Sequence, residues 1–238
     1  MPKFFTLLTI LSLLAIHPKT SLPDSDRARV ARKSVWPRLQ NELKDKGLTI
    51  KPQVYIRLFK DEGTLEIWVK SGPRYQFFKT YNICAFSGGL GTKTKAGDYK
   101  SPEGFYTVEP KQLNPNSSYH LSINVGYPNK LETLKGYTGD QIMIHGICAS
   151  NGCYAMTNDG IDDIYTMFYK AFEAGQQKID VAIFPFRMDE QHMKTYKTNP
   201  SFSFWKTLKP GYDLFERNHV PPLVSVQGLN YSFSAGKV

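Results

Sequence analysis

The chain has 238 residues, 41% hydrophobic and 21% charged, with 15 prolines and 18 glycines. This length carries a full hydrophobic core, and the composition excludes global disorder and collagen-like repeats. Thirty Lys and Arg against 21 Asp and Glu leave +9, which favours anionic partners, while three cysteines exclude a disulfide-knotted scaffold and leave at least one thiol without an intrachain partner.

Residues 1–21 read as a secretory signal. Lys3 gives the positive start, and Phe4 to Ile16 is an apolar run broken only by Thr6, Thr9 and Ser12. That run falls short of the roughly 20 apolar residues of a membrane span, with an uncleaved anchor as the alternative. No lipid-attachment cysteine lies nearby, and no later stretch approaches spanning length. Removing the segment takes away Lys3 and Lys19 and no acid, so +7 belongs to the remainder.

Residues 22–52 read as a helical arm. Ala28, Ala31, Val35, Leu39 and Leu43 recur at helical spacing, and Pro37 predicts a division into an arm and a helix of about three turns ending at Gly47. From residue 53 the period becomes two. Val54, Ile56 and Leu58, then the polar turn Lys60-Asp61-Glu62-Gly63, then Leu65, Ile67 and Val69 predict a hairpin. Further strands are expected at Tyr75–Cys84, Phe105–Val108, Leu121–Val125, Ile142–His145 and Ile179–Phe184. One helix interrupts them, with the stripe Ile161, Ile164, Tyr165, Phe168 and Phe172, candidate caps at Thr157, Asn158 and Asp159, and a stop at Gly175. The pattern predicts a mainly β fold with α additions (α+β), a mixed sandwich over 53–186. The extension 187–238 reads as helical, with a short packed helix around Phe202, Phe204, Trp205 and Leu208.

Ser87–Thr94 is glycine-rich but lacks the Gly before Lys93 that a phosphate loop needs, so it reads as a mobile connection and not a nucleotide site. The informative stretch is His145-Gly146-Ile147-Cys148-Ala149-Ser150-Asn151-Gly152-Cys153. Three readings compete there. His145 and the cysteines can be structural, since free Cys packs as a small hydrophobe. They can bind zinc, but His17, His120, His192 and His219 supply no paired fourth ligand, and no cofactor or metal is expected. Or Cys153 is a nucleophile: His145 ends an apolar strand, Gly146 gives it a flexible turn, and an imidazole near a thiol generates the attacking thiolate. Backbone N–H groups at Gly152 and Cys153 are the oxyanion candidates, and Ser150 is a candidate for orienting the loop or the imidazole. Cys84 and Cys148 can pair and leave Cys153 free, or Cys148 can pair reversibly with Cys153. The basic charge meets no RNA-binding signature, so nucleic acid is not expected as a partner.

His145-Gly146 at a strand end followed by Ser150-Asn151-Gly152-Cys153 resembles the active-site signature of the L,D-transpeptidase catalytic domain family, YkuD. Ser101-Pro102-Glu103-Gly104-Phe105-Tyr106 is similar to that family's strand-opening motif. The short His-to-Cys spacer, Gly152–Thr157, Phe184–Met188 and Lys209-Pro-Gly-Tyr212 look most like its YafK-like branch. Asn151 stands where the broader family has a second His, and Tyr154 follows the cysteine where Arg or Asn is common, which bears on the substrate wall and the acyl acceptor.

The resemblance implies an L,D-transpeptidase-like fold and acyl transfer on peptidoglycan stem peptides. Cys153 would form a thioester at the diamino acid of position three, with His145 as proton donor and acceptor. Asn151 and the Tyr137 hydroxyl are candidates for contacting substrate. Peptidoglycan is the implied partner, along with a wall-linked outer-membrane lipoprotein, because the YafK-like branch is associated with hydrolytic release of that lipoprotein. Together with the leader it implies a periplasmic protein. A catalytically inactive wall-binding module is the alternative of another class.

Overall fold

The computed structural model describes residues 21–236. All but the last residue of the expected leader lies outside them. No helix among the described residues is long and apolar enough to cross a membrane.

At the centre is a five-stranded sheet in the order β3-β2-β1-β9-β4. Its strands are β1 (Val54–Phe59), β2 (Thr64–Ser71), β3 (Arg74–Asn82), β4 (Gly104–Val108) and β9 (Ile179–Phe184). β1 pairs antiparallel with β2 and parallel with β9, so all six of its residues are buried and alternation sorts them between two cores. Val54, Ile56 and Leu58 face the main core. Tyr55 and Phe59 face a second core built with Phe184, Trp205, Tyr212 and Phe215. Arg57 is buried among those aromatics and is neutralised by Glu66 at 2.8 Å and by Glu216.

A second sheet runs β5-β6-β7-β8, from β5 (Leu113–Asn114), β6 (Ser122–Asn124), β7 (Met143–His145) and β8 (Tyr154–Ala155). It shares the main core with α3 (Asn158–Glu173). Thr157 caps α3 by accepting from Gly160 N–H at 3.1 Å, and Gly175 follows its end at φ +103°. A short α2 (Lys130–Leu134) lies between β6 and β7.

Four expectations need correction. First, α1 (Asp26–Asp45) is one helix running through Pro37. Pro37 is exposed, so the carbonyl it frees meets solvent, while Ala28, Ala31, Leu39 and Leu43 are buried on either side of it. Arg38 reaches the buried Asp163 of α3 at 2.5 Å, which adds tertiary support across the proline.

Second, Lys60 in the hairpin turn is fully buried. It pairs with Glu103 at 3.0 Å and donates to the carbonyls of Gly91 and Ser101. Third, the same cluster pins the Ser87–Thr94 connection, because Gly91 N–H donates to Glu103 at 2.8 Å and Gly91, Thr92 and Lys93 are buried. Fourth, the C-terminal extension is more than a short helix. After α4 (Glu190–Thr195), α5 (Phe202–Asn218) continues through Pro210, and a hairpin of β10 (Leu223–Gln227) and β11 (Asn230–Ser234) follows. Gly211 admits the Phe233 and Phe105 rings, which would lie 2.5 and 2.6 Å from a Cβ there.

Candidate active site

β7 and β8 are parallel neighbours, with Ile144 opposite Tyr154 and His145 opposite Ala155. Cys153, one residue before β8, is therefore level with Met143. Strand rise and spacing set the His145 and Cys153 backbones on the order of 8 Å apart, within joint reach of an imidazole and a thiol. Tertiary structure thus supplies the proximity that the eight-residue spacing allowed.

His145 is 2% exposed. Its Nδ1 meets the Gly146 carbonyl at 2.5 Å. A carbonyl only accepts, so Nδ1 carries the proton and Nε2 keeps its lone pair as a base. Burial lowers the imidazole pKa, with the Gly146 bond opposing, so the neutral form prevails at neutral pH. The Tyr119 ring packs on the imidazole with centroids 4.7 Å apart.

The Cys153 thiol points to the Gln141 carbonyl at 3.6 Å. Burial pushes its pKa up; the Met143 N–H and the Lys93 charge act in the opposite direction. The resting pair is therefore thiol and neutral imidazole. Among the described residues no hydrogen bond joins the two.

The loop carrying Cys153 is held by the carbonyl of that residue. Ser150 Oγ donates to the Cys153 carbonyl at 2.7 Å and Ser101 Oγ at 3.2 Å, so Ser150 contacts the loop and not the imidazole. Gly152 adopts φ +108°, which disfavours any side chain. A Cβ on Gly146 would lie 2.8 Å from Asn158 Oδ1 and 3.0 Å from Ile161, so glycine lets the His145 turn sit against the start of α3. Asn151 is exposed and makes no hydrogen bond among the described residues. The N–H groups of Gly152 and Cys153 likewise have no acceptor there. Tyr137 is half-buried on the Glu132 side, its N–H bonded to the Glu132 carbonyl at 2.9 Å.

Cys84 and Cys148 form a disulfide with Cα atoms 5.4 Å apart, and Cys153 is free. Cys148 is thereby spent, both as a zinc ligand and as a partner for Cys153. Cys84 and Ala85 donate to the Ala155 carbonyl, so the bridge ties the spacer before Cys153 to the chain flanking β8.

Two supports went unseen in the sequence. Lys60 bonds the Ser101 carbonyl while Glu103 accepts from Trp205 Nε1 at 2.7 Å, which links α5 through Ser101 to Cys153. Arg27 of α1 donates to the Ser117 and His120 carbonyls at 2.9 and 2.8 Å, holding the loop that carries Tyr119. Glu103 lies inside the strand-opening motif and was the one available signal for the first; Arg27 offered none.

Residues 53–179 match the family described as the L,D-transpeptidase catalytic domain, YkuD. The chain belongs to this family. The L,D-transpeptidase match runs from the residue before β1 to the first residue of β9 and contains both His145 and Cys153. Likeness to one relative extends further. The protein named "Putative L,D-transpeptidase YafK" of Escherichia coli strain K12 is 50% identical over 181 residues, 76% of this chain and 74% of its own. Its counterpart in Escherichia coli O157:H7 gives the same figures. Among solved structures, the K307A mutant of the helical cell shape determining protein Pgp2 from Campylobacter jejuni shares 19% identity, with 85% of this chain and 81% of that one covered at a TM-score of 0.47. Bdellovibrio bacteriovorus Bd1075 shares 17%, with 74% and 77% covered at 0.38.

Proposed function

We propose that this protein is an exported, periplasmic, cysteine-dependent acyl-transfer enzyme acting on peptidoglycan stem peptides at the diamino acid of position three. The observation that carries the reading is the free Cys153 thiol, its carbonyl held by two serines, beside a neutral imidazole whose Nε2 is unprotonated. Nε2 takes the thiol proton as sulphur attacks the carbonyl carbon of the L-centre. The N–H groups of Gly152 and Cys153 receive the developing oxyanion. The C–N bond breaks, the imidazolium returns its proton to the leaving amine, and a thioester remains on Cys153. An amine acceptor then gives a crosslink, whereas water gives hydrolysis, and either regenerates the thiol.

A second reading, hydrolytic release of a wall-linked lipoprotein, is favoured by the exposed spacer. Ile147, Cys148, Ala149 and Asn151 are all exposed, leaving the thioester open to water. The deciding experiment incubates the mature protein and Cys153→Ala with crosslinked and lipoprotein-bearing peptidoglycan and identifies products by mass spectrometry. Products are expected from wild type alone, and the ratio of new crosslinks to freed stem peptides separates transfer from hydrolysis. Identical profiles would leave an inactive wall-binding module.

A further inference from the structure

A cavity of about 630 Å³ includes neither His145 nor Cys153 in its lining. It lies where the central sheet emerges from beneath α5, with the β10–β11 hairpin as its outer wall. Its volume is that of a small-molecule site. Three polar side chains form a row across the sheet floor. Thr107 pairs with Asp180 in the β4–β9 ladder, and the β1–β9 register brings Tyr55 level with Asp180. Thr107 Oγ1 donates to Asp180 Oδ1 at 3.2 Å, and the other carboxylate oxygen makes no protein hydrogen bond. Tyr55 is 2% exposed, and its hydroxyl is buried without a partner. Its ring is fixed against Phe215 and Tyr75, at centroid distances of 4.7 and 6.3 Å, so it cannot easily turn to find one. A buried hydroxyl left unpaired is costly, and a ligand hydroxyl or amide would relieve it.

The walls define the ligand. Phe105 and Tyr231 are aromatic, Val226 is apolar, and Asp180 adds an exposed carboxylate. A pyranose ring presents an apolar C–H face to aromatic rings and equatorial hydroxyls or amides to carboxylate and phenol groups. A peptide strand added to β4 meets an obstruction. The Phe105 N–H already donates to Tyr231 Oη at 3.4 Å, and its carbonyl accepts from Asn129 at 3.1 Å.

We propose that this cavity is a saccharide subsite holding a short run of N-acetylated amino sugars, separate from the cysteine centre. Its assignment to the glycan strand of the wall polymer rests on the substrate reading above. Bound there, the glycan would tether the polymer while its stem peptide reaches Cys153.

The test titrates an N-acetylglucosamine hexamer into the Cys153→Ala protein by calorimetry, alone and combined with Asp180→Asn or with Val226→Trp, which fills the cavity without touching the carboxylate. Circular dichroism and melting temperature check the fold of each. The hexamer is expected to bind the parent and to bind both combined variants about tenfold more weakly. With Cys153 intact, Asp180→Asn should lower kcat/KM on intact sacculi by a similar factor and leave glycan-free stem peptides unaffected. Absence of hexamer binding to the parent, or binding to either variant as tight as to the parent, overturns the subsite. So does a glycan-free peptide whose binding is lost on Asp180→Asn. If no stem peptide is ever turned over while hexamer binding keeps its sensitivity to both variants, the catalytic reading fails and the subsite stands.

Discussion

At the residue scale, burial sets the resting protonation of the candidate pair. Burial raises the Cys153 pKa and lowers that of His145, so no thiolate–imidazolium pair is stored at rest. In the proposed reaction the proton therefore moves during attack. Iodoacetamide alkylation of Cys153 is accordingly expected to accelerate with rising pH to beyond that of a free thiol, without a plateau near neutrality; a plateau below pH 7 would indicate a preformed ion pair. On the acid side, kcat/KM should fall as His145 protonates, at a pH below the 6.5 of an unperturbed imidazole. Gly146→Ala sets a methyl against Asn158, His120 and Ile161 and should destabilise the fold by about 1–3 kcal/mol, measured by urea denaturation. The sequence singled out His145 and Cys153 as candidates through their residue types beside glycines, and the β7–β8 register brings the two near each other. Lys60 was not singled out: a lysine in a polar hairpin turn reads as solvated, and only the partner Glu103, brought from the far side of the next connection, makes its burial tolerable.

At the element scale, that buried pair is the joint between the C-terminal helix and the Cys153 loop. Lys60→Met removes one partner and strands the Glu103 carboxylate, with an expected loss of about 3–5 kcal/mol in denaturant unfolding. Trp205→Phe keeps an aromatic side chain but deletes the indole N–H to Glu103, and should cost a smaller amount, about 1–3 kcal/mol. The longer strands over 53–184 and α3 were readable from their apolar periods of two and of 3.6, whereas the two-residue strands β5 and β8 are too short to carry a period and went unread. Where prolines intervened, local rules misled. Pro37 and Pro210 both sit inside helices, held there by packing against α3 and against the aromatic second core. In the β10–β11 hairpin Val224 and Val226 alternate with polar residues and pair across the turn with Phe233 and Tyr231, so its signal was present but short.

At the scale of the whole molecule, α1 reaches the site it does not enter. Arg27→Ala frees the loop carrying Tyr119, and kcat should drop more than melting temperature does, since the helix retains its buried face. Stability as a whole should depend on pH through Glu132, whose carboxyl is raised by burial to about 7. Between pH 4.5 and about 7 the folded state keeps a proton the unfolded chain releases, so stability falls as pH rises through that window. Glu132→Gln should flatten that slope in melts taken from pH 4 to 8. The Cys84–Cys148 bridge, finally, imposes an order on folding. It closes a separation of 64 residues, whereas Cys148 and Cys153 stand close in sequence and meet far more readily in an unfolded chain. Oxidation ahead of sheet assembly therefore traps Cys153 in the short loop. A chain refolded from the reduced, denatured state should pass through a Cys148–Cys153 species, visible in acid-quenched peptide maps, that thiol exchange must undo before activity appears. Competition between an early wrong pairing and a late correct one then limits how fast natively bridged protein accumulates.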